Sequence, residues 1–337
     1  MSNTRPSDRE LIKSEMTDPI VSVCMITYNH EAYIAQAIES VLMQKTDFPF
    51  EIVIGEDCSL DQTRTIVQDY IERYPSRIRA QFPEHNQGML PNFGATLNSC
   101  RGKYIALLEG DDYWTDPLKL KKQVEYLEKH KDCSMVFHNT AVYLDGIGLT
   151  GEVSQPLKLK EKYDLRDLLV ENFIPTLSVM VRNGLVETLP DWYYELPIGD
   201  WPFHILHAMQ GLVGYINETM AAYRIHSHGA FSKLDAVQRI KTRLDVLDSL
   251  RFHLHLDKYP EYQLGLARVF LKLSAVYSDT DHFKIGKQYL WKSIHTKAIS
   301  NLTVGQLAML IKYYLPRLYK FIKQMTGGKV DFRRKFV

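Results

Sequence analysis

The sequence predicts an α/β domain with a mostly parallel sheet, followed by a helical region. Three observations carry this. Short apolar runs rich in β-branched residues alternate with helical patterns through the first half of the chain. Acidic residues follow several of these runs, at the carboxyl ends of strands where open α/β sheets bind ligands. From about Asp235 onward, apolar residues recur at helical spacing alone.

The elements follow in order. Residues 1–18 are polar and charged and read as a flexible leader with no signal-peptide core. A buried strand is predicted over 20–26, broken by Thr27-Tyr28-Asn29-His30. A helix follows over 31–44, with Ile34, Ile38, Val41 and Leu42 on one face. A second strand at 50–54 ends in Gly55-Glu56-Asp57-Cys58-Ser59, and Ser59 or Asp61 can cap a helix running to about Tyr74. A short strand at 77–82, a short helix at 91–99 and a strand at 103–108 come next. That strand runs into Glu109-Gly110-Asp111-Asp112, and is followed by a helix over 116–130 and a strand over 133–143. A strand over 219–225 precedes His226. Helical segments are predicted near 236–256, 260–278, 281–297 and 303–325, with a kink at Pro316.

Composition bounds the function. The 337 residues suggest two domains, or one with a helical appendix. The net charge of +1 argues against a nucleic-acid binder. That balance hides an asymmetry, because the segment from Asn301 onward carries five Lys, three Arg and one Asp, about +7. An amphipathic basic tail of this kind fits a helix lying on an anionic membrane surface, or a packed helix with a solvated basic face. It could also form a homodimer interface. No uncharged apolar stretch of about 18 residues occurs. The four cysteines lack zinc-ligand spacing and read as reduced thiols in a reducing compartment. A Rossmann glycine motif, a P-loop and a GxSxG elbow are all missing.

The strongest chemical signal is Glu109-Gly110-Asp111-Asp112 after a buried strand. Three adjacent carboxylates cannot all be buried and ionised without a cation. Hard divalent ions such as Mg²⁺ or Mn²⁺ suit carboxylate and phosphate oxygens. Helix capping explains Thr115-Asp116-Pro117 but leaves Asp111 and Asp112 in excess.

Four linked segments carry a resemblance: 21–29, 56–63, 101–105 and 109–114. Over 20–145, and through Gly199-Asp200-Trp201-Pro202 and Tyr223-Arg224-Ile225-His226 to about 232, the chain resembles family 2 glycosyltransferases of the GT-A fold, of the bacterial surface-polysaccharide type. The resemblance implies a GT-A domain over 19–232 and a helical region over 233–337. It implies inverting transfer from a nucleoside diphosphate sugar, with a UDP-sugar the first expectation, to a glycan or lipid-linked acceptor; with the basic tail on a membrane, that acceptor would stand at the cytoplasmic face. Thr27 and Asn29 would line the nucleotide pocket, and Asp57 would accept a hydrogen bond from the base. Glu109, Asp111 and Asp112 match the DxD-type element that holds ribose and metal, Asp111 foremost; Glu109 departs from the commoner Asp. Asp200 would be the base, with Glu195 as the fallback. His226, or else His228, would complete the metal site, and Arg224 would steady a phosphate or pair with an acidic neighbour. Two rivals stand beside this reading. A sugar-1-phosphate nucleotidyltransferase would need a glycine-rich basic loop where Thr27–Glu31 stands, and a non-catalytic module would use a degenerate transferase fold.

Overall fold

In a computed structural model, the described residues are 18–156, 159–227, 229, 232–278, 282–296 and 302–325. The leader predicted at 1–18 therefore lies outside them apart from Asp18, as do His228 and the end of the basic tail.

The first strand, β1 (Val21–Thr27), is buried along its length. It pairs in parallel with β2 (Phe50–Glu56) on one side and β4 (Tyr104–Glu109) on the other. Strands buried on both faces have no polar alternation, which is why these three read as continuous apolar runs. Helices α1 (Ile34–Leu42), α2 (Thr63–Arg73) and α3 (Met89–Asn98) connect them, with β3 (Ile78–Gln81) at the sheet edge. Beyond β4 come β5 (Tyr113–Trp114), α4 (Lys119–Lys129), the long β6 (Cys133–Leu144), β7 (Gly148–Val153) and β8 (Lys162–Tyr163). The short α5 (Leu165–Val170), β9 (Met180–Arg182), α6 (Asp200–Ala208) and β10 (Leu212–Ile225) complete this half of the chain. Among the described residues, ten strands form one sheet, with main order β3-β2-β1-β4-β9-β6-β10-β5. β9 runs antiparallel between β4 and β6, whereas β10 runs parallel to β6. Val21, Val23, Met25, Ile52, Ile54, Ala106 and Leu108 form the centre of the core with Ile34, Ile38 and Val41 of α1.

The remaining helices are α7 (Ala236–Leu254), α8 (Pro260–Tyr277), α9 (Phe283–His295), α10 (Val304–Tyr314) and α11 (Pro316–Met325). The helix predicted over 303–325 is two helices, not one kinked helix. Leu315 leaves helical geometry at φ −131° and ψ 58°, because proline disfavours a helical residue before it and lacks an N–H of its own.

The chain divides into two compact units. One comprises the residues through Tyr163 with Phe173–Pro190 and Leu206–His226; the other takes Asp164–Asn172, Asp191–Ile205 and the chain from Ser227 onward. The helical unit thus recruits two segments that lie before residue 232. Their packing explains the recruitment. Gly265 of α8 lies against the Leu169 carbonyl of α5, and the buried Trp201 donates its indole N–H to Leu168 O at 2.8 Å. Lys272 of α8 pairs with Glu171 at 2.7 Å. All four cysteines are free thiols.

Candidate functional site

The carboxyl ends of β1, β2, β4 and β10 bring most of the predicted residues together in the sheet unit. The chain leaves β1 through Thr27, buried in the sheet, and turns at Asn29, which adopts left-handed φ of 55°. Asparagine tolerates that region better than most residues. The turn is locked across the sheet: Asn29 N–H donates to Ser59 Oγ at 2.9 Å, and its side-chain oxygen accepts from Leu60 N–H at 2.8 Å. Asp61 closes the same junction, accepting from Thr63 N–H at 2.9 Å and Glu31 N–H at 3.0 Å. Asp61 thus bonds the first N–H of α2 from the position before its N-cap, Gln62, rather than capping it from the N-cap position.

Asp57 is buried after β2. Its two carboxylate oxygens accept backbone N–H groups from Gln87 and Gly88, at 2.8 and 2.9 Å. A carboxylate has about four acceptor positions, so each oxygen keeps one more. The neighbouring Glu56 is fully buried and paired with Arg64, a structural ion pair.

Gly110 follows β4, and its N–H donates to Ile26 O at 2.9 Å. This close approach sets Asp111 beside two imidazoles. His226 Nε2 lies 2.9 Å from Asp111 Oδ2, and His30 Nε2 lies 3.6 Å from the same oxygen. Burial would raise the Asp111 pKa, but the His226 contact and the His30 charge outweigh it and hold the carboxyl below 3.8. Asp112 differs. It is fully buried, accepts Arg224 N–H at 2.6 Å, and is pushed well above the usual aspartate range by burial and by the charges of Asp111 and Glu109. Between these two, Asp111 is the carboxylate its surroundings hold in the ionised form, while Asp112 anchors β10. Glu109 stands at the end of β4, opposite Ile26.

Arg224 is buried among Tyr33, Tyr113 and Tyr143, its guanidinium 4.6, 5.1 and 5.3 Å from the three ring centres. It donates to the Asp111 carbonyl and to Gln36 Oε1. The buried cation is satisfied by aromatic faces and neutral oxygens, consistent with cation–π stabilisation. Tyr33 also packs on His226 at 4.7 Å between rings and donates to Asp145 at 3.2 Å.

His30, Tyr33 and Gln36 were not predicted as site residues. His30 carried a signal, because it lies in the polar break right after β1. Its ring Nδ1 is 3.2 Å from Thr27 Oγ1, which fixes the ring so that Nε2 meets Asp111. Among the described residues, no group of three or more His, Cys, Asp or Glu side chains is arranged to hold a metal alone. Asp111 with His226 is instead a mixed carboxylate–imidazole pair.

Asp200 belongs to the helical unit. It opens α6 and accepts from Asn172 Nδ2 at 2.9 Å. Burial raises its pKa above 3.8, against the Trp201 N–H and Asn172, which lower it. Glu195, the fallback, is exposed at the end of a short 3₁₀ turn, Asp191–Glu195.

Comparison with known proteins places this geometry in a family. Residues 22–188 match the family model "Glycosyl transferase family 2". The chain is 40% identical over 213 residues to the uncharacterized protein Rv1520 of Mycobacterium tuberculosis, covering 62% of this chain and 60% of that protein. It thus spans less than two thirds of that relative's length. It is 32% identical over 212 residues to the putative teichuronic acid biosynthesis glycosyltransferase TuaG of Bacillus subtilis, covering 61% of this chain and 79% of that protein. The fold is similar to that of Staphylococcus aureus TarS 1–349 in complex with UDP-GlcNAc, at TM-score 0.57 and 16% identity over 88% of this chain and 92% of that one. It is also similar to the mannosyltransferase PcManGT of Pyrobaculum calidifontis in complex with GDP-Man and Mn²⁺, at TM-score 0.55 and 15% identity over 93% and 84% of the two chains. With its GT-A fold and these relatives, the chain belongs to glycosyl transferase family 2.

Proposed function

We propose that this protein transfers a sugar, with inversion, from a nucleoside diphosphate sugar to a hydroxyl of a glycan or lipid-linked acceptor in surface-polysaccharide synthesis, on the cytoplasmic side of the membrane. A UDP-sugar is the first donor to test. GDP-mannose is the second, because PcManGT binds it. The observation that carries the reading is the convergence of Asp111, His226 and His30 at the carboxyl ends of β1, β4 and β10.

Each residue then has a task. Asp57 accepts the N–H of the base; a mismatched base would leave a buried acceptor unpaired, which discriminates strongly. Thr27 and Asn29 shape the floor of the nucleotide pocket, and Glu109 contributes to the ribose side. Arg224 and Asp112 act as positioning residues: one holds the Asp111 main chain, the other holds β10. Asp111 and His226 would hold a divalent ion, which when bound lends Lewis-acid charge to the leaving diphosphate.

Asp200 takes the proton from the acceptor hydroxyl. The acceptor oxygen forms its bond to the anomeric carbon from the face opposite the nucleotide, and the bond to the diphosphate breaks. One base suffices for a single displacement. A carboxylate whose pKa is raised by burial is the stronger base in its ionised form.

The test is product analysis. Purified protein is supplied with UDP-GlcNAc or GDP-mannose, Mn²⁺ and a polyprenyl-linked glycan, and the anomeric configuration of the product is read by NMR. An inverted product, lost in Asp200→Asn, is the expected result. A retained configuration would rule out the single displacement.

A further inference from the structure

We propose that α11, together with the exposed edge of α10, docks this protein onto an anionic lipid surface, with α11 lying in the plane of the headgroups. The surface is independent of the transfer site and needs no part of the catalytic reading.

The argument begins with α11. Leu318, Ile322 and Met325 recur at helical spacing and form one stripe, with Leu315 just before the helix. Arg317, Lys320 and Lys323 fall on the other side. The principal contact of α11 is with the preceding α10. Leu315, Leu318 and Met325 are 54%, 44% and 74% exposed, and Ile322 is half-buried. On α10 and the turn before it, Leu302, Val304, Leu307 and Tyr314 are exposed as well. Exposed apolar side chains grouped on one helix face mark an interaction surface.

Charge identifies the occupant. Every charged residue of α11 is basic, and the sequence after it adds Lys329, Arg333, Arg334 and Lys335 against one acid, Asp331. A basic amphipathic helix with aromatic residues at its border matches an anionic headgroup layer. That border is present: Trp291 donates its indole N–H to the Tyr314 hydroxyl at 3.2 Å, and Lys287 Nζ sits 4.4 Å from the Tyr314 ring centre. Aromatic rings with one apolar and one polar edge concentrate at the membrane interface. Ten residues of helix span about 15 Å, half of a bilayer core, so α11 fits along the surface rather than across it.

The experiment uses the full chain in vesicle co-sedimentation. Vesicles are phosphatidylcholine alone, or phosphatidylcholine mixed with phosphatidylglycerol. Binding to the anionic vesicles, weak binding to neutral ones and a sharp loss at about 1 M salt are expected. Replacing Arg317, Lys320 and Lys323 by Ser should weaken binding on the order of a hundredfold, at about fivefold per charge. Leu315→Ser with Leu318→Ser should weaken it about tenfold and remove the part that survives salt. Leu315 and Leu318 are exposed, so thermal unfolding of the leucine variant should match the parent. Equal binding to both vesicle types, or binding unchanged in both variants, would overturn the proposal. So would a dimer in light scattering that Leu318→Ser dissolves, since the stripe would then be a protein interface.

Discussion

Replacing Gly110 by Ala probes whether the site geometry depends on the glycine of Glu109-Gly110-Asp111-Asp112. A Cβ built at Gly110 would lie 2.6 Å from Thr27 Oγ1, 2.7 Å from Thr27 Cβ and 3.1 Å from His30 Nδ1. Thr27 is buried in β1 and short, so it cannot swing aside as a long side chain would. Relief must come from the main chain after β4, which carries Asp111. Overpacking of this kind costs about 1–3 kcal/mol. For a chain of this size that is a fall in Tm of roughly 2–6 °C. The same shift would move Asp111 from His226 and His30, so Mn²⁺-dependent nucleotide binding should weaken by more than stability alone explains. Thermal denaturation with and without UDP and Mn²⁺ reads both effects. An alanine variant with unchanged Tm and unchanged nucleotide response would refute the reasoning.

Four further outcomes can be measured. His30→Ala should weaken Mn²⁺-dependent nucleotide affinity by roughly 10–100-fold, the range for groups that orient metal ligands; calorimetry showing no change would remove His30 from the site. Asp200→Asn should lower kcat by about 10²–10⁴ and leave donor affinity intact. In the parent enzyme the acid limb of kcat should fall above pH 3.8, since burial raises the Asp200 pKa; a limb below that value would contradict the assignment. Glu51 is held at about 2 although burial alone would raise it, because Arg79, Arg101 and Ser22 bond its carboxylate. Its folded pKa is depressed, so its stabilisation is full above pH 4.5 and is lost as pH falls toward about 2. With both arginines half-exposed, about 2 kcal/mol is expected, and Glu51→Gln should flatten the acid limb of stability by that amount.

Much of the fold was legible because its central strands are buried on both faces. β1, β2 and β4 left continuous apolar runs, and the acidic clusters after β2 and β4 marked the ligand edge. β9 was not legible: Met180–Arg182 is three residues long, and its place between β4 and β6 is fixed by its partners, not by its own pattern. β10 begins at Leu212, seven residues before the predicted strand, and its register shifts around Ile216 and Thr219 interrupt the alternation. The site was read through residues whose chemistry stands out in sequence, such as Asp111 and His226. Its supports came from distant segments. Tyr33, Tyr113 and Tyr143 enclose Arg224 only because α1, β5 and β6 meet there, and no local spacing encodes that meeting.

The most direct test is a thermal-shift titration with UDP, GDP and dTDP, each with and without Mn²⁺, on the parent and on Asp111→Ala. A ligand that binds only the folded state must raise its stability, by about 2.7 kcal/mol at a hundredfold excess over Kd. Stabilisation by one nucleotide, dependent on Mn²⁺ and lost in Asp111→Ala, is the predicted result. No stabilisation by any nucleotide, or stabilisation indifferent to both Mn²⁺ and Asp111, would contradict a metal-assisted glycosyl transfer at this site.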